Sequence, residues 1–317
     1  MMKLYRRIYN AIKRRVKKII PNPNNIIRRS NWYHNQFLHL KEFERLQQGA
    51  DVLCFGSTPA KFAIDFSKRS EVKGYNLAIL PETIHYDFQV LKNYHSFLKD
   101  GGTALFVLCP FTFLKDKYRP SDNSDVYKDI RYYPILHRAM IDNFDIKLYK
   151  KWVDNPMSLG LLAWKRLIKD SPKSRYGRDK ANNLTDSQMK NSAQTRIDEW
   201  MKEFSLDRLD SESLSSTLKD SIASNVEIFK QIKSFSQERG YNTQIVIPPF
   251  SEELTNLLPA DFVETTLMNP LREIGIPVLN YFRDNRWYDK TYYLDAFRMN
   301  ATGRELLTTD IINKLFK

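Results

Sequence analysis

Apolar positions along this chain follow two rhythms, and the change from one to the other marks its elements. Five short runs are apolar with little alternation: 51–55 (DVLCF), 75–80 (YNLAIL), 103–109 (TALFVLC), 243–248 (TQIVIP) and 276–281 (IPVLNY). Runs of that length without a polar face suit parallel strands covered on both sides. Between and after them, over 58–68, 84–99, 222–239, 251–274 and 301–316, the pattern is helical. This alternation predicts an α/β fold, a doubly wound and mainly parallel five-stranded sheet, with any ligand site at the carboxyl ends of its strands.

The interval 113–221 breaks the rhythm. An aromatic and charged segment leads through the apolar MSLGLLAWKRLI into the polar stretch 169–194, which has the composition of a mobile loop. Leaving from the carboxyl end of the third strand, it is predicted to be a helical insertion standing over the site as a cap or lid. Tyr118, Tyr127, Tyr132, Tyr133, Trp152 and Trp164 suit either stacking on sugar rings or a small core of the insertion's own. The predicted organisation is a basic leader at 1–29, the first part of the α/β domain at 30–112, the insertion at 113–221 and the second part of the domain at 222–317.

Charge alters this picture only at one end. The 317 residues carry 50 Lys and Arg against 37 Asp and Glu, a net +13 that would suggest a nucleic-acid partner. Ten of those bases fall in the first 29 positions and no acid precedes Glu42, leaving 40 bases against 37 acids for the rest. The basicity is terminal, so no nucleic acid is expected at the folded domain. Within the leader, Leu4, Ile8, Ile12, Val16 and Ile19 share a helical face opposite Lys and Arg, and Pro21 and Pro23 end the pattern. Residues 1–20 thus read as an anchor for an anionic membrane surface, or as a helix docked on the domain. The leader lacks the apolar core of a signal peptide or spanning helix, and Cys54 and Cys109 sit in apolar runs as buried thiols, so a cytoplasmic protein, peripheral on the inner face of the membrane, is expected.

Candidate chemistry begins at DVLCFGSTPAKFAID, residues 51–65, where the first strand stops at Gly56 and Ser57 and Thr58 precede a helix. A hydroxyl there is suited to be a nucleophile, since free helix N–H groups can stabilise an oxyanion. It is equally suited to cap that helix, with Pro59 in the first turn. At the other end, in YYLDAFRMNATGRELLTTDIINKLF, Asp295 lies in the loop after the last strand, where an Asp can orient a base over the site.

Together these two stretches resemble the SGNH (GDSL-like) hydrolase superfamily, in particular its relatives linked to cell-surface polysaccharides. Gly56-Ser57-Thr58 stands where that family has Gly-Asp-Ser or Gly-Ser-Ser. Asp295-Ala296-Phe297-Arg298-Met299-Asn300, with Gly303, stands where it has Asp-x-x-His followed by Asn and Gly. The resemblance covers 50–112 and 222–317 and implies a flavodoxin-like sheet, Thr58 or Ser57 as nucleophile and Asp295 as the residue orienting a base. It also implies a site rim including Arg298 and Asn300, with Ala78 or Ile79 near the oxyanion glycine, and Thr112 in the CPFT that replaces the family's Gly-x-Asn-Asp block.

Arg298 occupies the histidine's place. A guanidinium stays protonated and cannot take a proton from a hydroxyl at neutral pH. His85, opening the helix after the second strand, and His137, in the insertion, are the substitutes in the sequence, while His34, His39 and His95 read as surface or packing residues. No metal-ligand spacing and no Gly-rich phosphate loop is present, so no cofactor is expected. Two functions follow as expectations. One is an ester hydrolase or O-acyltransferase on a glycan or acylated carbohydrate, Arg298 stabilising charge or holding an acidic group. The other is a catalytically silent relative that binds a glycan or a partner enzyme.

Overall fold

The computed structural model describes residues 23–28, 33, 37, 39–80, 82–115, 129–159 and 184–316. The chain divides into two compact units, Met1–Leu40 with Asp122–Arg178, and Lys41–Ser121 with Asp179–Lys317. The expected insertion 113–221 is thereby split between them. The amphipathic leader 1–20, and with it Tyr118, Tyr127 and Trp164, lies outside the described residues.

The second unit holds the sheet. Strands β1 (Ala50–Gly56), β2 (Gly74–Asn76), β3 (Leu98–Val107), β4 (Asn242–Ile247) and β5 (Val278–Asn280) lie in the order β2-β1-β3-β4-β5, all parallel. This is a doubly wound α/β sheet. Its order reverses beside β1, which places a topological switch point between β1 and β3, where such sheets open a crevice at the strand carboxyl ends. The central strands are buried on both faces, with Leu53, Leu105, Phe106 and Ile245 all fully buried. Phe55 stacks on Phe106 at 5.1 Å.

Helix α1 (Thr58–Ala63) follows β1, α2 (Ile84–Tyr94) follows β2, and α3 (Asp186–Phe204) and α4 (Ser216–Gln237) precede β4. α5 (Asn269–Ile274) precedes β5 and α6 (Ala301–Leu315) closes the fold. Helix α4 packs on α2 and α5, while α6 packs on α1. Helix α1 is shorter than its apolar pattern because Asn76 Nδ2 donates to the carbonyls of Ala60 (2.9 Å) and Ile64 (2.8 Å), closing its last turn from β2. The stretch 251–274 is interrupted near Pro259 and again by a π turn at Glu264–Met268.

One expectation is corrected here. The polar stretch 169–194 is helical from Asp186 onward. Thr185 and Gln188 form a capping box, and Met189, Ala193, Ile197, Trp200 and Phe204 line a buried stripe. The surface of this helix is polar enough to disguise a strict apolar spacing.

The first unit has its own small aromatic core. Tyr132, Tyr133 and Trp152 are buried in it. The Tyr33 hydroxyl donates to Trp152 O at 2.6 Å, and Phe37 meets the Trp152 ring edge-on. These rings are packing residues, not exposed platforms. No helix among the described residues is long and apolar enough to cross a membrane.

Candidate functional site

At the carboxyl ends of β1 and β3 the second unit opens a cavity of about 150 Å³. Its wall begins with Gly56, whose φ of +129° ends β1 in a conformation L side chains rarely adopt; a Cβ there would sit 2.7 Å from Val107 O. Glycine is thus demanded twice, by dihedral and by the neighbouring strand. The tight turn delivers Ser57 and Thr58 directly to the cavity.

Neither hydroxyl caps α1. Ser57 is the residue before the helix, yet its side chain makes no capping bond; Ser57 Oγ instead accepts from the Glu82 amide at 3.1 Å. Thr58 is the first residue of the helix, a position from which a side chain does not cap its own helix in the N-cap manner. Both side chains are half-buried.

The loop after β2 forms the next wall. The Ile79 amide donates to Glu82 Oε2 (3.1 Å) and to Gly56 O (3.2 Å), and the Ala78 amide donates to Asn76 Oδ1 (3.1 Å). The two amides that resemblance would assign to an oxyanion are therefore engaged within the protein, and Ala78 is buried. Thr83 then caps α2, and Asp87 faces inward from its first turn. Glu82 and Asp87 are 4% and 3% exposed and line the cavity.

The two carboxyls interact directly with each other, and the Gly56 backbone lies near enough to Asp87 to favour its charged form. Burial first, and then the neighbouring Asp87 carboxylate, push Glu82 well above the ordinary carboxyl range. Burial pushes Asp87 up to about 7, against the opposing effects of Glu82, the Gly56 backbone and the Lys115 cation.

After β3 the chain turns tightly. Thr112 Oγ1 accepts from the Cys109 amide at 2.8 Å and donates to Cys109 Sγ at 3.4 Å. Thr112 thus lines the cavity while bracing its own loop. Burial raises the Cys109 thiol, and Cys54 is raised further, so neither is a thiolate nucleophile. Asn225 of α4 holds the following backbone by donating to Phe113 O and Lys115 O. Lys115 lines the cavity beside Thr112.

Helix α3 and the last loop complete the enclosure. Trp200 stacks on Phe111 at 4.1 Å and meets Phe297 edge-on at 5.0 Å. The Arg196 guanidinium lies 5.0 Å from the Phe297 ring centre and pairs with Glu199 at 2.7 Å. Glu203 is exposed at the rim.

The Asp295–Arg298 turn closes on itself. Asp295 Oδ1 accepts from the amides of Phe297 (3.0 Å) and Arg298 (2.8 Å), and Oδ2 accepts from Arg298 Nε at 2.6 Å. Arg298 also lies over the Phe62 ring at 5.1 Å. Asp295 therefore orients a guanidinium and no imidazole, and of this turn only Phe297 lines the cavity. Asn300 is buried as the cap of α6, accepting from the Gly303 amide and donating to Thr291 O.

The histidines stand elsewhere. His85 Nε2 lies 3.4 Å from Gln89 Nε2 along α2. His137 belongs to the first unit, where its Nδ1 accepts from the Ala139 amide. His95 is paired with Tyr241, and His39 with Arg131 O. Among the described residues, no histidine lines the cavity, and no group of three or more His, Cys, Asp or Glu is placed to hold a metal.

The structure thus brings Ser57, Thr58 and Thr112 together and leaves Asp295, Arg298, Asn300, Ala78, His85 and His137 outside the cavity lining. It adds Glu82, Asp87, Lys115, Arg196, Trp200 and Glu203. A signal for Asp87 exists in the sequence: with Ile84 and Leu91 it occupies positions i, i+3 and i+7, a carboxylate on an apolar helical stripe. No family model matches the chain, and no curated protein or solved structure is detectably similar to it.

Proposed function

We propose that this chain is an SGNH-like ester hydrolase or O-acyltransferase acting on acylated surface-polysaccharide or related glycan intermediates, held at the inner face of the membrane by residues 1–20. One observation carries the reading. Two hydroxyls at the end of β1 are not used as helix caps and line a cavity at the sheet's switch point. In this reading Thr58 attacks the acyl carbon, and Ser57, which accepts from the Glu82 amide, holds the turn. The proton acceptor comes from outside the Asp295–Arg298 turn.

The test is acetate release by the full chain from peracetylated methyl glucoside and from 4-nitrophenyl acetate, with Thr58→Ala and Ser57→Ala beside the wild type. The reading expects Thr58→Ala to lose turnover by about 100-fold or more while remaining folded. Turnover that survives Thr58→Ala would sink the placement of the nucleophile.

A second reading is favoured by a different observation, the closed Asp295–Arg298 ion pair where a base-orienting Asp would be needed. In it the protein is a silent relative that binds a glycan or a partner enzyme. A wild type inert on both esters, with Arg298→His gaining esterase activity, would favour that reading.

A further inference from the structure

The cavity contains one cluster that the sequence motifs leave without a role, the carboxyl pair Glu82 and Asp87. They come from different elements, the loop after β2 and the first turn of α2, yet both line the cavity beside the turn that presents the hydroxyls. The Glu82 amide donates to Ser57 Oγ. Glu82 Oε2 is held by the Ile79 amide. Glu82 Oε1 and Asp87 Oδ1 are buried and receive no donor from the other described residues. Such a pair is costly to bury and adds no packing that apolar side chains would not supply.

Two carboxyls in contact cannot both be charged there, so one holds a proton against the other. The result is an acid and a base in one group, lining the same small cavity as the hydroxyls. We propose that Glu82 and Asp87 together are the proton-exchanging group of this cavity, serving its hydroxyl nucleophile in the role that the family resemblance gives to histidine. The inference rests on the ester-chemistry reading above and supplies the base which that reading lacks.

The step balances as follows for an acylated sugar. Thr58 Oγ1 bonds to the acyl carbon while its proton passes to the carboxylate of the pair; the bond from acyl carbon to sugar oxygen then breaks, and the departing alkoxide takes that proton. Water next gives its proton to the same carboxylate as its oxygen bonds to the acyl carbon. The bond to Thr58 breaks, and the proton returns to Oγ1. Ester and water become acid and alcohol, and the pair ends as it began. A second sugar hydroxyl in place of water gives acyl transfer.

The surrounding charges fit this use. Lys115 faces the pair and lowers both carboxyls, Arg196 at the same cavity is neutralised by Glu199, and Glu203 stands at the exposed rim. Cys54 behind Asp87 and Cys109 beside Thr112 are both kept protonated by burial. Within the pair, burial pushes Asp87 up to about 7.

The experiment follows 4-nitrophenyl acetate hydrolysis by the full chain from about pH 5 to pH 9 in wild type, Asp87→Asn, Glu82→Gln and Thr58→Ala, with circular dichroism on each. The wild-type rate should rise with a midpoint close to 7, as the pair's base form appears. Asp87→Asn should fall by about 100-fold or more and lose that midpoint, and Thr58→Ala should be comparably slow. A Thr58-dependent rate that Asp87→Asn and Glu82→Gln leave within about threefold of wild type overturns the pair's role. A wild type no faster than Thr58→Ala overturns ester hydrolysis itself, and the pair's catalytic role with it.

Discussion

Asp87→Asn should change how the protein's stability depends on pH, whatever the protein's activity. The carboxyl is pushed by burial from its ordinary 3.8 to about 7, so the folded protein retains a proton that the unfolded chain has released. With a raised value the sign is definite. The contribution is fully present below the unfolded value and is lost as pH rises through the folded one. A shift of about three units at 1.36 kcal/mol each is on the order of 4 kcal/mol, of which about 3 kcal/mol falls between pH 5 and pH 8. Because the two carboxyls titrate as a pair, that figure belongs to the pair, and Asp87→Asn removes its coupled part. Urea melts of wild type and variant at matched pH, followed by circular dichroism, read the difference. The variant should gain on the wild type from pH 5 to pH 8 by up to about 3 kcal/mol, seen as a relative midpoint shift of up to about 1 M. Asp51, Asp284 and Asp289 are shifted downwards, so they titrate below this window and cancel between the two proteins. A difference that stays constant over this range would refute the buried pair.

Further outcomes follow from single positions. Gly56→Ala should cost about 3 kcal/mol or more in chemical denaturation, since it meets both a positive φ and the Val107 carbonyl. Asn300→Ala should cost about 2 kcal/mol, measured the same way, because it removes the cap of α6 and two bonds to loop carbonyls. Trp200→Ala should cost about 3–5 kcal/mol and open the cavity wall, which thermal melting would register. A chain beginning at Pro21, which keeps the packed helix Pro23–Arg28, should keep its circular dichroism and lose sedimentation with anionic vesicles, and salt should weaken binding of the full chain; equal sedimentation of the two would count against the leader as an anchor.

Strands β1, β3 and β4 were legible because each carries a short apolar run whose character is set by its own residues, as in VLCF of β1 and ALFV of β3, whereas β2 is only Gly74–Asn76 and keeps just the start of its predicted run. Their order, β2-β1-β3-β4-β5, only the structure decides, because order depends on which crossovers pack on which face. Gly56 and its two hydroxyls were visible for the same local reason, since a strand ending in glycine before a helix is a contiguous pattern. What those hydroxyls do was not local. Ser57 is an acceptable cap by composition, and it takes the Glu82 amide 25 residues away. Helix α3 was half legible, its capping box and apolar stripe hidden under a polar surface. Asp295 and Arg298 are three residues apart, and only folding shows that they pair with each other and leave the cavity to Phe297. Glu82 and Asp87 show the limit most plainly. Carboxyls five positions apart are unremarkable in a sequence, since either would be charged and solvated alone. Their unusual protonation arises only because β1, the loop after β2 and α2 bury both at one point, and desolvation and mutual repulsion are properties of that packed arrangement rather than of either residue.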